Sequence, residues 1–139
     1  YSGTSSSLAV ASGRLSYVLG LTGPNLPIDT ACSASLVSLH VAGLFLIDDV
    51  MSHAAVAGSL LLLSKVSIAF ALGGMISPRG RSHTFDVRAD GFCRGEGFGA
   101  FLVTTEDSFT SVRSSSVQQD GPSASLTAPS GSSQKRLIE

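Results

Sequence analysis

Cys32 is the residue of this chain best placed to act as a nucleophile. It follows Asp29, Thr30 and Ala31 and begins the apolar run CSASLVSLHVAGLFLI at 32–47. A cysteine at the start of a helix lies beside unpaired backbone N–H groups and the positive end of the helix dipole, which favour an anion. The position therefore predicts a reactive thiolate and an oxyanion site at the same N–H groups. Position alone leaves a second interpretation open, in which Cys32 is a small hydrophobic packing residue.

The three histidines are the other side chains that could take part in such chemistry. His40 lies about two helical turns, or about 12 Å of rise, beyond Cys32, so direct pairing is not expected and a structural role is predicted. His53 and His83 are predicted to be solvated. No Cys or His pair has the spacing of a metal site, so no metal ligand is predicted.

The pattern along the chain predicts an α/β protein. The expected elements are a helix over 5–19, an extended stretch at 26–29, a central helix over 32–47, a buried strand at 54–63, strands at 99–104 and 110–118, and a helix from Ser132. The stretch at 26–29, the central helix and the strand at 54–63 together predict a right-handed crossover unit. Residues 73–97 are too rich in Gly, Pro and Arg for regular structure and too many for an idle connector, which suggests a functional loop.

Composition excludes several classes of protein. A chain of 139 residues with 43% apolar and 14% charged residues, and a net charge of −1, can build a core but has no basic field for nucleic acid or an anionic membrane. The apolar stretch at 54–63 is too short to span a bilayer. No targeting signal is visible from Tyr1 onward, where the sequence is typical of the middle of a domain. Two cysteines do not make a secreted disulfide framework, so reduced thiols and an intracellular protein are favoured.

Four collinear segments resemble one enzyme family. The segment IDTACSASLVSLHVA at 28–42 closely resembles the active-site segment of ketosynthases, in which the catalytic cysteine follows an acidic residue, a threonine and an alanine. The other three segments, which are similar to the family's flanking sequence in the same order, lie at 1–25, 73–103 and 116–134. Residues 1–139 are therefore identified as a partial β-ketoacyl synthase domain of the type I polyketide or fatty-acid synthase kind.

The resemblance implies a fold, a reaction and a set of partners. The fold would be the thiolase-like layered α/β/α/β/α architecture, of which this chain supplies the later part of the first half and the start of the second. The reaction would be a decarboxylative Claisen condensation, with Cys32 as the acyl-carrying nucleophile and its backbone N–H in the oxyanion hole. Phosphopantetheine would arrive on an acyl carrier protein or coenzyme A substrate, so no resident cofactor is expected. The full domain would be a homodimer paired through residues 26–28.

The resemblance also assigns roles to the loop and marks three departures from the family. Arg94, Glu96 and Asp86 are expected to be buried ions that brace the loop, and Cys93 a packing residue. The two histidine motifs that handle decarboxylation in the family do not occur in residues 1–139. Residue 34 is alanine where polyketide-type enzymes usually carry serine, and the chain is about ten residues shorter than the family between positions 102 and 112.

The same sequence argues against three other classes of protein. GEGFGA at 95–100 is not a dinucleotide-binding motif, because it is predicted to follow a loop and enter a strand. The segment around Cys32 lacks the glycines of an α/β-hydrolase elbow and the signature of a cysteine protease. Two alternatives stay open: a non-catalytic scaffold or dimerisation module derived from a ketosynthase, and a thiolase-fold enzyme that does not decarboxylate. The product class, chain length, extender unit and compartment stay open as well.

Overall fold

The computed structural model describes residue 4 and residues 7–48, 51–125 and 128–139. The chain divides into two compact units, one formed by Tyr1–Val56 with Leu102–Glu139 and the other by Ala57–Phe101. The described elements, in chain order, are α1 (Leu8–Leu19), a 3₁₀ turn (Ala31–Ser33), α2 (Ala34–Ile47), β1 (His53–Leu60), α3 (Ser64–Leu72), β2 (Gly97–Thr104) and α4 (Gly131–Ile138). β1 and β2 are neighbours in a two-stranded sheet. The mixture of helices and strands confirms the α/β class.

Helix α1 ends where the backbone turns left-handed. Gly20 has φ +66°, a conformation that glycine adopts without steric cost, and its N–H donates to the Ser16 carbonyl. The N–H of Leu21 donates to the same carbonyl at 2.9 Å. The predicted helix over 5–19 is thus confirmed from Leu8 onward, whereas Ser5 and Ser6 lie outside the described residues.

The segment that leads from α1 to Cys32 is tied back to the helix by one side chain. The Asn25 amide donates to the Ser12 carbonyl at 3.1 Å and to the Ser16 hydroxyl at 2.6 Å. Residues 26–29 form no strand, so the expectation of a complete strand–helix–strand crossover is wrong for the described chain. A strand needs ladder hydrogen bonds to a neighbour, and no described segment supplies them to this stretch.

Helix α2 follows the prediction in position but not in burial. It begins at Ala34 after the 3₁₀ turn and ends at Asp48, whose N–H donates to the Leu44 carbonyl at 3.1 Å. Ala42 and Leu46, one turn apart, are its buried residues, whereas Leu36 is 71% exposed. A helix that is apolar all round was expected to be covered on several sides. Within this chain several of its faces are partly covered, since residues 37–41, 43 and 45 are half-buried, but only Ala42 and Leu46 are fully buried.

The strands and α3 differ from the expectation in informative ways. The predictions at 54–63 and 99–104 correspond to β1 and β2, and Val56 in β1 is 4% exposed. Most other residues of the two strands are exposed, so β1 is not the buried strand that was expected. The predicted strand at 110–118 is absent, and its residues are exposed. Helix α3 was not predicted from its short sequence SKVSIAFAL. No helix in the described ranges is long and apolar enough to cross a membrane.

The long loop after α3 is irregular, as predicted, but closes on itself at its base. Ile76 and Phe92 form an isolated parallel bridge. The N–H of Ser77 donates to the Phe92 carbonyl, and the N–H of Phe92 donates to the Met75 carbonyl, each at 3.0 Å. Gly91, with φ +137°, allows this close approach because a Cβ there would lie 2.5 Å from the Ser77 nitrogen.

Helix α4 begins slightly earlier in the sequence than expected. Its N-cap is Ser130, whose hydroxyl accepts from the N–H of Ser133 at 3.3 Å, whereas the prediction placed the cap at Ser132. Asp120 stabilises this end of the helix. Its carboxylate accepts from the Ser130 N–H at 2.9 Å, and its carbonyl accepts from the buried Ser133 hydroxyl at 2.8 Å.

Candidate active site

Cys32 is the middle residue of the 3₁₀ turn Ala31–Ser33, immediately before α2. Its side chain is exposed and forms no disulfide. The predicted position at a helix start is therefore confirmed, with a 3₁₀ turn in place of the first α-helical turn. An exposed sulfur is what a nucleophile requires, and it does not fit the interpretation of Cys32 as a packing residue within this chain.

The backbone just before Cys32 is strained. Ala31 has φ +54°, in the left-handed region that residues with a Cβ seldom adopt. A residue held there costs on the order of 1–2 kcal/mol and persists only where surrounding contacts enforce it. This sharp turn brings the backbone to Cys32 at the start of the helix.

Three side chains of the same turn supply the contacts that enforce it. Asp29 Oδ1 accepts from the Ala31 N–H at 3.1 Å. The Ser33 hydroxyl donates to the Thr30 carbonyl at 2.8 Å and lies 2.9 Å from the Thr30 hydroxyl. We did not predict these contacts from sequence. An aspartate two residues before the bonded N–H is a known turn pattern and could have indicated the first of them.

The backbone N–H groups of the turn are used unequally. The Ala31 N–H donates to Asp29, the Ser33 N–H to the Thr30 carbonyl at 3.3 Å, and the Ala34 N–H to the Ala31 carbonyl. The Cys32 N–H makes no hydrogen bond to any acceptor in the described part of the chain. It is therefore free to donate to an oxygen that approaches the sulfur of the same residue, as an oxyanion hole requires.

A cavity of about 480 Å³ adjoins the turn. Its lining combines hydroxyl and amide groups with two apolar side chains: Thr30, Ser33, Val37, Val117, Gln118 and Gln119. A second cavity of about 610 Å³ lies within the loop that includes Gln119 and Pro129, and none of its lining residues is a cysteine or histidine. Of these two cavities, only the smaller is lined by residues that flank Cys32, namely Thr30 and Ser33, although Cys32 itself is not part of the lining.

The histidines take three different positions. His40 is half-buried and its Nδ1 lies 2.8 Å from the Ser115 hydroxyl, which confirms a structural role. His53 is exposed, with Nε2 3.7 Å from Glu106, as predicted. The prediction that His83 is solvated is wrong. The loop folds back at His83, where φ is +43° and the carbonyl accepts from the Asp86 N–H. The Nε2 of His83 is buried without a partner among the described residues.

Two of the three predicted loop ions brace the loop against α3 and the residues just before it. Arg94 Nη1 donates to the Ser67 hydroxyl at 2.6 Å, and its guanidinium lies 5.1 Å from the centroid of the Phe70 ring. Glu96 Oε2 accepts from the Leu62 N–H at 3.1 Å. The bracing role is confirmed, but Arg94 is only half-buried and Glu96 is exposed, because these residues sit at the surface of their unit.

Asp86 and Cys93 complete the predicted loop residues. Arg88 Nη2 donates to Asp86 at 2.6 Å. Hydrogen bonds from the side chain and backbone of Arg88 hold the pKa of the Asp86 carboxyl below its ordinary value. Asp86 is half-buried rather than buried. The prediction that Cys93 is a packing residue is wrong for the described chain, since its side chain is exposed and its sulfur lies 3.6 Å from the Arg94 carbonyl. Residues 95–100 run from an irregular loop into β2, which confirms the context on which the dinucleotide-binding motif was rejected.

A second carboxylate closes the loop near its base. Asp90 accepts from the buried Ser77 hydroxyl at 2.6 Å and from Arg79 Nε at 2.9 Å. The Ser77 hydrogen bond, followed by the Arg79 guanidinium, lowers the pKa of Asp90 below its ordinary value. Sequence reasoning missed this cluster. In the described ranges, no group of three or more His, Cys, Asp or Glu side chains could hold a metal ion.

Comparison with known proteins identifies relatives of this chain. The chain is 44% identical over 147 aligned positions to a phenolphthiocerol/phthiocerol polyketide synthase of Mycobacterium tuberculosis, covering 99% of this chain and 7% of that protein. It is 42% identical over 148 positions to the pikromycin synthase component PikAII of Streptomyces venezuelae, covering 99% of this chain and 4% of the relative. Both alignments have more positions than the 139 residues of this chain, so each relative has residues that this chain lacks within the aligned region.

Solved structures agree with the sequence comparison. A cysteine-to-serine mutant of the ketosynthase from module 6 of the Bacillus subtilis 168 bacillaene synthase superposes with a TM-score of 0.88 at 38% identity, covering 95% of this chain and 25% of that one. This likeness to a ketosynthase confirms the thiolase-like fold expected from the resemblance. The model of the β-ketoacyl synthase N-terminal domain matches residues 1–108. The chain therefore belongs to the β-ketoacyl synthase family, and its residues 1–108 correspond to the N-terminal domain of that family.

Proposed function

We propose that this chain is the nucleophile-bearing part of a polyketide-type ketosynthase, in which Cys32 carries the acyl chain during a decarboxylative Claisen condensation. The observation that supports the proposal most strongly is the turn at Cys32, where one residue carries both an exposed sulfur and a backbone N–H that has no acceptor among the described residues. The relatives' names favour polyketide over fatty-acid synthesis.

The first half-reaction uses groups of this chain. The Cys32 thiolate attacks the carbonyl carbon of an acyl thioester, forming a new C–S bond, and the negative charge moves to the oxygen. The Cys32 N–H donates to that oxyanion. Collapse of the tetrahedral intermediate breaks the original C–S bond, and the carrier thiolate leaves and takes up a proton. The product is an acyl thioester on Cys32.

The second half-reaction forms the carbon–carbon bond. A malonyl thioester loses carbon dioxide, and the electron pair left on its α-carbon attacks the acyl carbonyl on Cys32. The Cys32 thiolate is the leaving group, and the β-ketoacyl thioester remains on the carrier. We propose that the groups assisting decarboxylation come from outside residues 1–139, since neither histidine motif of the family occurs in this sequence.

The proposal includes the partners and their assembly. Acyl and malonyl groups would arrive as thioesters of the phosphopantetheine arm of an acyl carrier protein or of coenzyme A, so the chain itself would need no bound cofactor. Two copies would pair through residues 26–28. These residues form no strand with any described segment, which leaves their backbone groups available for a second copy.

Acyl loading tests the proposal directly. The full natural polypeptide that carries residues 1–139 is incubated with a short acyl thioester and analysed by intact and peptide mass spectrometry. We expect one acyl group on Cys32, no loading in Cys32→Ala, and undiminished loading in the matched control Cys93→Ala, because both cysteines are exposed and free but only Cys32 lies in the strained turn. Persistent loading in Cys32→Ala would contradict the assignment, and absence of loading in the wild type would favour the scaffold alternative.

Carbon dioxide release tests the division of labour between this chain and the rest of the domain. Residues 1–139 alone, given an acyl donor and malonyl thioester, are expected to form no ketoacyl product, because correctly placed acid–base or electrophilic groups contribute powers of ten in rate. Labelled carbon dioxide released together with ketoacyl product would show that residues 1–139 suffice for condensation.

A further inference from the structure

We propose that Asp29 and Ser33 are positioning residues for Cys32, and that together they set the one backbone torsion that aims both the sulfur and the oxyanion-binding N–H. The inference rests on the proposed function and deepens it. Neither side chain touches the reacting atoms. Each acts through the turn that carries them.

The first step is that Ala31 does not hold its own conformation. Its φ of +54° is unfavourable for a residue with a Cβ by about 1–2 kcal/mol, so an isolated Asp-Thr-Ala-Cys segment would relax to negative φ. Glycine would adopt this torsion freely, but the residue is alanine. Contacts in the folded chain must therefore keep the strained torsion in place.

The second step identifies those contacts. The Asp29 carboxylate accepts from the Ala31 N–H at 3.1 Å, which ties the strained residue to the one two positions before it. The Ser33 hydroxyl donates to the Thr30 carbonyl at 2.8 Å, which ties the residue after Cys32 to the residue before Ala31. The two bonds overlap around Ala31, beside a longer backbone bond of 3.3 Å from the Ser33 N–H to the Thr30 carbonyl. Loss of either side-chain bond weakens one side of the turn.

The third step connects the turn to chemistry. The Ala31–Cys32 peptide carries the N–H that makes no hydrogen bond within the described chain, and Cys32 itself carries the sulfur. Rotation about the Ala31 torsions turns that N–H and the sulfur together, away from the direction in which a bound acyl thioester presents its carbonyl. Acyl transfer needs both groups at one carbonyl, since the sulfur attacks the carbon while the N–H stabilises the oxygen. Alkylation by iodoacetamide needs only the sulfur, because iodide leaves a saturated carbon and no oxyanion forms there.

The rate of acyl loading divided by the rate of iodoacetamide alkylation at Cys32 therefore reports the geometry of the turn. A general loss of structure would not lower acyl loading alone. The full natural polypeptide is compared with two pairs of variants. Asp29→Ala removes the acceptor and Asp29→Asn keeps an amide oxygen in its place. Ser33→Ala removes the donor and Ser33→Thr keeps a hydroxyl. For each protein the acyl-loading rate is divided by the iodoacetamide rate, and folding is checked by thermal unfolding.

We expect the ratio to fall about tenfold or more in Asp29→Ala and Ser33→Ala, since a lost oxyanion donor costs on the order of 10²–10³ in rate and a misaligned one somewhat less. Asp29→Asn and Ser33→Thr should restore most of it. An unchanged ratio in folded Asp29→Ala and Ser33→Ala would overturn the inference, and so would equal loss in the alanine and the conservative variants. If one alanine variant does not fold, the pair at the other position decides. Failure of the wild type to load any acyl group would instead overturn the proposed function and this inference with it.

Discussion

The base of the long loop offers a substitution whose effect can be worked out from distances. An added Cβ at Gly91 would lie 2.5 Å from the Ser77 nitrogen, 2.6 Å from the Ile76 carbonyl carbon and 2.8 Å from the Met75 carbonyl oxygen. All three neighbours are backbone atoms, so no side-chain rotation can relieve the contact. Gly91→Ala must therefore push the two backbone segments apart by about 1 Å before an ordinary contact distance of 3.4 Å is reached.

That displacement breaks interactions whose contributions are known in order of magnitude. Two backbone hydrogen bonds join the segments, from Ser77 to the Phe92 carbonyl and from Phe92 to the Met75 carbonyl, and each contributes about 1 kcal/mol. The φ of +137° at Gly91 adds about 1–2 kcal/mol of strain for alanine. The free energy of unfolding should therefore fall by about 3–4 kcal/mol. Gly80→Ala is the matched control, since Gly80 has φ +65° but open space around it, and should lose only the torsional strain of about 1–2 kcal/mol.

Urea unfolding of the full natural polypeptide, followed by circular dichroism, measures the two losses. Limited trypsin digestion at Arg79 and Arg81 reports the loop separately, because a loop whose base has opened is cleaved faster. Equal losses in Gly91→Ala and Gly80→Ala would refute the reasoning, since the close backbone contact would then contribute nothing beyond the torsion. A larger loss in Gly80→Ala would refute it as well.

Three further outcomes follow from the same contacts. The pKa of Asp90 is lowered in the folded state, so the stability it contributes is full above the ordinary carboxyl pKa near 4 and is lost as the pH falls further. Acid unfolding followed by circular dichroism should show that Asp90→Asn loses less stability than the wild type between about pH 4 and 2. An identical acid profile would contradict this. A thiol alkylator at neutral pH should label Cys32 before Cys93, because only Cys32 lies at a helix start; equal labelling in peptide mass spectra would count against the site. Ser130→Ala should cost about 1 kcal/mol in urea unfolding and the neighbouring Ser132→Ala less, since Ser130 is the N-cap; the reverse order would restore the original prediction.

The parts of the fold that were predicted correctly are those specified by nearby residues. The helix after Cys32 follows from an uninterrupted apolar run with small residues at its start, and α1 from apolar residues at helical spacing. The turn at Asp29 is also local, and its hydrogen bond could have been anticipated from the aspartate two residues before Ala31. Local geometry therefore accounts for most of the candidate site.

The parts that were missed depend on contacts distant in sequence. Residues 110–118 alternate in polarity, yet a strand exists only where a neighbour completes its ladder, and none does so here within the described chain. His83 was expected in solvent because its neighbours are polar, but the loop folds over its Nε2. Cys93 is predicted to be a packing residue of the loop, but its side chain is exposed. The Ser77–Asp90 contact joins residues 13 positions apart and has no signature in either local sequence.

The amide of Asn25 has a consequence for how freely the nucleophile turn can move. Between Gly20 and Thr30 the chain has no helix or strand to restrict it, and its only described attachment to α1 beyond the helix end is through Asn25. That attachment divides one connector into two of about half the length. For a flexible chain, each halving of the length of a closed segment changes the entropic free energy of closure by about 0.6 kcal/mol, and the shorter segment has fewer conformations. Two hydrogen bonds from one side chain thus narrow the range of directions from which the backbone reaches Cys32, in a segment where no sheet does so.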